Sequence, residues 1–212
     1  MHQSNTESKR CRICFARLIE HQTFVEILFG HDPLCHECRQ KLRATPKVIH
    51  VESMEIFTLF AYEEEPRQWF LQFKEGHDYC LGAIFLYGFR RKMRRKYRNF
   101  QIVYAPSHEN SVKNRGFNVI ETMMENVFSS QPIPVFTKGN DVYQKRLNRE
   151  DRFKNVQDFR ADLSLLDKTK GVLLVDDLVT TGATLSILSQ TLTKNGYIVQ
   201  IFSVYRHKTL ES

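Results

Sequence analysis

The segment Val172-Leu173-Leu174-Val175-Asp176-Asp177-Leu178-Val179-Thr180-Thr181-Gly182-Ala183-Thr184 carries the residues best suited to chemistry. Four apolar residues read as a buried strand, and two carboxylates follow where that strand should end. Ligands of open α/β sheets bind at the carboxyl ends of strands, which places Asp176 and Asp177 to accept hydrogen bonds from sugar hydroxyls. Thr180, Thr181, Gly182, Ala183 and Thr184 then make a small, hydroxyl-rich loop ahead of a helix. The first N–H groups and the dipole of such a helix attract phosphate, and Gly182 lets the backbone come close. A strand ending in acids and a capped helix account for these residues singly, but not for their joint order.

A second constellation lies near the start of the chain. Cys11-x2-Cys14 and Cys35-x2-Cys38 are separated by twenty residues, the spacing of a four-thiolate tetrahedral zinc site of the ribbon kind. Each CxxC turn sets two sulfurs on one side of the backbone, and the β-formers of 23–29 supply a strand between the turns. A redox dithiol is the alternative for either pair alone. Four sulfur ligands leave no coordination position open, so the expected role is structural or adaptor-like. His21, His31 and His36 are further ligand candidates that four thiolates make unnecessary. Cys80 lies in an apolar helical stretch and reads as a small core residue.

These groups need positioning elements. Ala44-Thr45-Pro46 reads as a break dividing a zinc module at 1–45 from a main domain at 46–212. Ile56 to Tyr62 reads as a strand leading into Glu63-Glu64-Glu65-Pro66, where a helix starts with proline at its first position and Trp69, Phe70 and Phe73 on its apolar face. Lys74 follows that face. From Tyr79 to Arg98 the spacing of Leu81, Ile84, Phe85 and Phe89 predicts a helix. Its end packs seven cations into the nine residues Arg90–Arg98. This is either a solvated helix end or a contact for an anionic polymer, with Tyr97 and Phe100 as adjoining stacking surfaces.

Ile102 to Ala105 predicts a short buried strand, Pro106 to Arg115 a loop, and Asn118 the start of another helix. A helix over Thr184–Asn195, with Leu185, Leu188 and Leu192 inward and a stop at Asn195-Gly196, is followed by a strand over Ile198–Val204. This alternation predicts an α/β fold with a parallel sheet flanked by helices.

With 212 residues and 42% hydrophobic content, the chain suffices for one main core and an appendage. Residues 1–10 are hydrophilic, and no stretch reaches the roughly 18 apolar residues of a membrane span. A soluble, cytoplasmic protein without membrane insertion is expected. The net charge of +7 favours an anionic partner without specifying it.

The thirteen residues from Val172 to Thr184 resemble the phosphoribosyl-pyrophosphate signature of type I phosphoribosyltransferases. The resemblance implies that Asp176 and Asp177 hold ribose hydroxyls, that Thr180–Thr184 hold the 5′-phosphate, and that Mg²⁺ rides on the pyrophosphate. Arg115-Gly116-Phe117-Asn118, the preceding Pro106-Ser107-His108, Gln144, Arg152 and Asn155, taken with the four cysteines, resemble ComF-type late-competence proteins over nearly the whole chain. That resemblance implies a type I phosphoribosyltransferase-like domain with a small N-terminal zinc ribbon, acting in DNA uptake with a helicase-like competence protein. Separately, the phosphate loop, the basic helix end and the ribbon form a candidate binding module for single-stranded DNA or a protein partner, with no transfer reaction. It places Lys74 near the pyrophosphate and Arg115 in the loop covering the site, as the catalytic candidates if the domain is an active Mg²⁺-dependent transferase. A surface charge is the alternative for both. Base selectivity would then lie in Tyr205-Arg206-His207-Lys208, after the last strand.

Overall fold

The computed structural model describes residues 10–18, 32–125, 127–128, 130–138 and 159–210. Its centre is a sheet in the order β1-β2-β7-β6-β3, built from β1 Lys47–Val51, β2 Met54–Ala61, β3 Phe100–Tyr104, β6 Gly171–Val179 and β7 Val199–Arg206. β1 pairs antiparallel to β2, while β2, β7, β6 and β3 run parallel. β4 Phe136–Lys138 and β5 Phe159–Ala161 form a separate antiparallel pair. The chain is therefore α/β, with a mostly parallel sheet flanked by helices, as expected.

Alternation along the strands explains how both sheet faces are covered. Leu173 and Val175 of β6 join a core with Phe202 and Val204 of β7, while Val172 and Leu174 join a second core with Ile201. A period of two thus sends successive apolar residues to opposite faces, the pattern of a parallel sheet covered on both sides. One face carries helix α2, Glu64–Lys74, whose Phe70 and Phe73 are buried. The other carries α7, Ala183–Lys194, through the buried Leu185, Leu188 and Leu192. Gly196, at φ 83°, follows the end of α7, as the Asn195-Gly196 pair predicts.

Several local expectations are corrected. The apolar segment after Tyr79 is not one helix: a 3₁₀ turn at Tyr79–Leu81 leads into α3, Gly82–Leu86, and a second at Tyr87–Phe89 separates α3 from α4, Arg90–Lys96. Gly82 admits the close approach that this packing needs, because a Cβ there would meet Thr122 Cγ2 at 2.6 Å. Cys80, expected in the core, is exposed. Pro66 is the third residue of α2, still within the first turn, where a missing N–H leaves no intrahelical bond unmade. The expected loop before Asn118 contains α5, Glu109–Arg115, whose Gly116 cap has φ 83°. Asn118 caps α6, Val119–Met124, by accepting from the N–H groups of Ile120 and Glu121 at 3.0 and 3.3 Å. The strand expected at 23–29, His21, His31, Gln144, Arg152 and Asn155 lie outside the described residues.

The cysteine module packs onto the main core. Cys11, Leu34, Cys38 and Leu42 belong to the cluster that holds Phe60, Phe70 and Phe85. Arg12 donates to the Cys80 carbonyl at 2.7 Å, and Arg39 donates to the Ile84 carbonyl at 3.2 Å while it grips Asp32 through two bonds. Among the described residues no helix is long and apolar enough to cross a membrane.

Candidate functional site: the Asp176–Asp177 corner and the cysteine cluster

β6 runs farther than its apolar residues suggest. It continues through Asp176 and Asp177 to Val179, so the two acids sit within the strand near its carboxyl end rather than after it. Parallel pairing extends with it, matching Asp176 to Ser203 and Val179 to Arg206. The chain then turns through the exposed Thr180 and Thr181 to Gly182, at φ 76°, which caps α7. Ala183 and Thr184 are the first two residues of that helix. The turn lines a pocket of about 70 Å³ bounded by Asp176, Thr180, Thr181, Gly182, Ala183 and Thr184. Asp176 and the hydroxyl-rich loop therefore share one pocket, at the N-terminus of a twelve-residue helix whose first N–H groups have no intrahelical acceptor.

Gly182 is required twice over. Its left-handed backbone disfavours any L side chain, and a Cβ at this position would stand 2.8 Å from Val51 Cγ1. The β1–β2 turn therefore backs the loop directly. Glu52, in the same turn, accepts a hydrogen bond from Ser186 Oγ of α7 at 3.1 Å.

Lys74, the last residue of α2, reaches into this corner. Its Nζ donates to Asp177 Oδ2 at 2.7 Å, with both side chains largely buried. Asp176 accepts from the Asp177 N–H at 2.9 Å. Burial, reinforced by the neighbouring charge of Asp177, pushes the Asp176 carboxyl up to about 8, although Lys74 and Lys138 pull it down. The corner thus sets an Asp177 paired with the Lys74 cation beside an Asp176 that resists ionisation.

Arg115 lies at the end of α5 rather than in a loop. Its Nε donates to the Lys74 carbonyl at 2.7 Å, and its Nη1 is buried without a hydrogen-bond partner among the described residues. The two expected cations are therefore linked, with Arg115 holding the backbone that carries Lys74. Tyr205 and Arg206, expected beyond the last strand, lie within β7 and are buried. Tyr205 Oη donates to the Pro66 carbonyl, and Arg206 to the Thr45 carbonyl. Only His207 and Lys208 follow the strand.

One residue of this corner escaped the sequence reading. Lys138 ends β4 and lies close enough to Asp176 to lower its pKa. A lone lysine after Phe136-Thr137 bears no motif, and its placement depends on the pairing of β4 with β5.

The cysteine cluster behaves as its spacing predicts. The Sγ atoms of Cys11, Cys14, Cys35 and Cys38 all lie within 4.8 Å of one another, and those of Cys14 and Cys35 are 3.7 Å apart. Tetrahedral thiolates about 2.3 Å from zinc stand about 3.8 Å apart, so the donor set fits such an ion. Burial raises Cys11, but the N–H groups of Cys14, Cys35 and Ile13 outweigh it and hold the thiol down to about 7. The four cysteines could hold a metal ion such as zinc. His36 stands apart from them, exposed and against Gln40 Nε2.

No family model matches the sequence. The chain is similar to the competence protein ComFC of Streptococcus pneumoniae, at 28% identity over 149 residues. The match covers 70% of this chain and 66% of that protein's length. With the cysteine cluster, it makes the chain ComFC-like.

Proposed function

We propose that this chain is a competence-related cytoplasmic protein that binds phosphoribosyl pyrophosphate, or a ligand with the same ribose and phosphate groups. The observation that carries the site is the convergence of Lys74, Asp176, Asp177 and the Thr180–Thr184 turn on one corner. The competence reading rests on the likeness to ComFC. In it, the cysteine module serves as a zinc-stabilised structural element, and the protein works on single-stranded DNA with a helicase-like partner.

The residues divide the ligand by chemistry. The carboxylates accept hydrogen bonds from vicinal ribose hydroxyls, and the N-terminus of α7 takes the 5′-phosphate. Lys74 and the buried Nη1 of Arg115 face the more strongly anionic pyrophosphate, which carries Mg²⁺. Lys74 leaves Asp177 for the phosphate oxygens when ligand binds, and the 2′- and 3′-hydroxyls take its place.

A second reading, an active Mg²⁺-dependent phosphoribosyltransferase, is favoured by the linkage of Lys74 to Arg115. The bond from C1 to the pyrophosphate oxygen breaks with its electron pair leaving on oxygen. An acceptor nitrogen of a nucleobase or similar compound supplies the new bond and releases its proton to solvent. Such catalysis needs positioning and charge rather than a nucleophilic side chain.

Thermal unfolding with and without phosphoribosyl pyrophosphate and Mg²⁺ tests the site. Ligand at about a hundred times its dissociation constant stabilises the fold by roughly 2.7 kcal/mol, a rise of about 5 to 10 °C for a chain of this size. The wild type should shift and an Asp176→Asn, Asp177→Asn variant should not. No shift in either would sink the ligand assignment.

A further inference from the structure

A second cavity lies away from the acidic corner, where the cysteine module meets the helical face. It measures about 170 Å³, with Arg12 and Arg90 as its cationic lining, Tyr87 beside Arg90, and Ala83, Met123 and Val127 supplying apolar surface. The Arg90 guanidinium lies over the Tyr87 ring at 4.2 Å from its centroid. Cation and ring thus form one polarizable cation–π pair beside an apolar floor.

The basic run begins at this cavity. Arg90 lines it, and Arg94, one turn on, donates from Nε to the carbonyl of Val127, another lining residue. Positions i and i+4 share a helix face, so this face of α4 leads from the cavity. Met93 and Tyr97 occupy the buried face, and Lys96 lies against the Phe57 and Tyr97 rings. Tyr97 is therefore unavailable as a stacking surface, contrary to the sequence expectation. Arg91, Arg95 and Arg98 are exposed.

We infer that the cavity between Arg12, Tyr87 and Arg90 is a base-binding pocket for single-stranded nucleic acid, with the phosphate backbone continuing along the arginines of α4. The proposal rests on the single-strand reading and gives it a location. A flat aromatic base with polar edges suits a stack of guanidinium and phenol beside Met123 and Val127. A cationic surface that extends from the pocket through Arg94, with the exposed Arg95 and Arg98 following in the chain, matches a repeating anion better than a single one. An acidic peptide with an apolar anchor is the competing occupant.

The test compares wild-type affinity for oligothymidylate with that for a strand of equal length lacking bases, across a range of salt. Stacking is worth about 5- to 150-fold per base, so the abasic strand should bind more weakly by a factor in that range at every salt concentration. Ala83→Trp, which fills the pocket, should remove this discrimination without changing the salt slope. Arg95→Gln with Arg98→Gln should weaken both strands equally and reduce the slope by about 1.4. Equal wild-type affinity for the two strands would overturn the pocket while leaving electrostatic strand binding intact. No binding of either strand would overturn both. Tighter binding of an acidic peptide than of oligothymidylate, lost on Ala83→Trp, would assign the cavity to a protein and overturn the proposal. The abasic comparison needs no variant, so it decides even if Ala83→Trp fails to fold.

Discussion

Lys74 and Asp177 stand 103 residues apart in the chain and 2.7 Å apart in the fold. The contact ties the end of α2 to β6, and Arg115 completes it from α5 by holding the Lys74 carbonyl. Three elements therefore set the spacing of charges at the acidic corner before any ligand arrives. The backbones that carry these groups are thus in place beforehand, and binding needs only the Lys74 side chain to move from Asp177 to the phosphate.

Replacing Lys74 with Met leaves Asp177 buried without its cation. Losing one partner of a largely buried charged pair costs about 1–3 kcal/mol, and the affinity for phosphoribosyl pyrophosphate should fall by at least about tenfold, the equivalent of 1.4 kcal/mol. Lys113→Met removes an exposed pairing with Glu109 and should change neither. Denaturant unfolding and ligand titration of both variants check this. Equal behaviour of the two would contradict a special position for Lys74.

Asp176 should make stability depend on pH. Its folded pKa, near 8, lies above the value of about 3.9 for an unfolded Asp. Between these values the folded state binds the extra proton, so the stability contributed by this group is lost as pH rises from about 4 to about 8. Asp176→Asn stays neutral throughout. The stability of the variant relative to wild type should rise across that window and level off above it. Parallel stability profiles for the two proteins would contradict the burial of this carboxyl.

Gly182 gives a conformational prediction. Gly182→Ala places a methyl group against Val51 and a side chain in the left-handed region, whose cost alone is about 1–2 kcal/mol. Stability and ligand affinity should fall together. Gly196→Ala has the same sign of φ but open space around its Cβ, so it should lower stability by the left-handed cost alone, about 1–2 kcal/mol, and leave ligand affinity unchanged. Urea unfolding with ligand titration separates the two.

The contrast between these glycines shows what the sequence could convey. The strand from Val172, the inward Leu185, Leu188 and Leu192, and the paired CxxC turns were legible because local periodicity or spacing encodes them. The extension of β6 through Asp176 and Asp177 was hidden because aspartate is a poor strand former, and pairing with β7 decides the matter. Helix α5 has no signature in the sequence because Glu109–Arg115 has no buried residue and hence no apolar stripe. Lys138 and the contact of Arg115 with Lys74 depend on how distant segments pack, which no local pattern records. Cys80 was misplaced because a continuous helix would have turned it inward, whereas the 3₁₀ turn at Tyr79–Leu81 leaves it exposed.

The cysteine module and the main core share Leu34, Leu42 and Phe60 in one cluster, so metal removal should be felt beyond the module. Purified protein should release one equivalent of zinc per chain on thiol modification. Cys14→Ser should lower the temperature of the main unfolding transition rather than abolish a separate small one, as scanning calorimetry would show. An unchanged main transition would mean that the module is independent of the core.

The central claim is that the Asp176–Asp177 corner is a ribose and phosphate site. Calorimetric titration of phosphoribosyl pyrophosphate with Mg²⁺ into wild type, Asp177→Asn and Lys113→Met tests it most directly. The account predicts one site per chain, weakened at least about tenfold, or 1.4 kcal/mol, by Asp177→Asn and unaffected by Lys113→Met. No binding heat at any temperature, or binding that Asp177→Asn leaves intact, would contradict it.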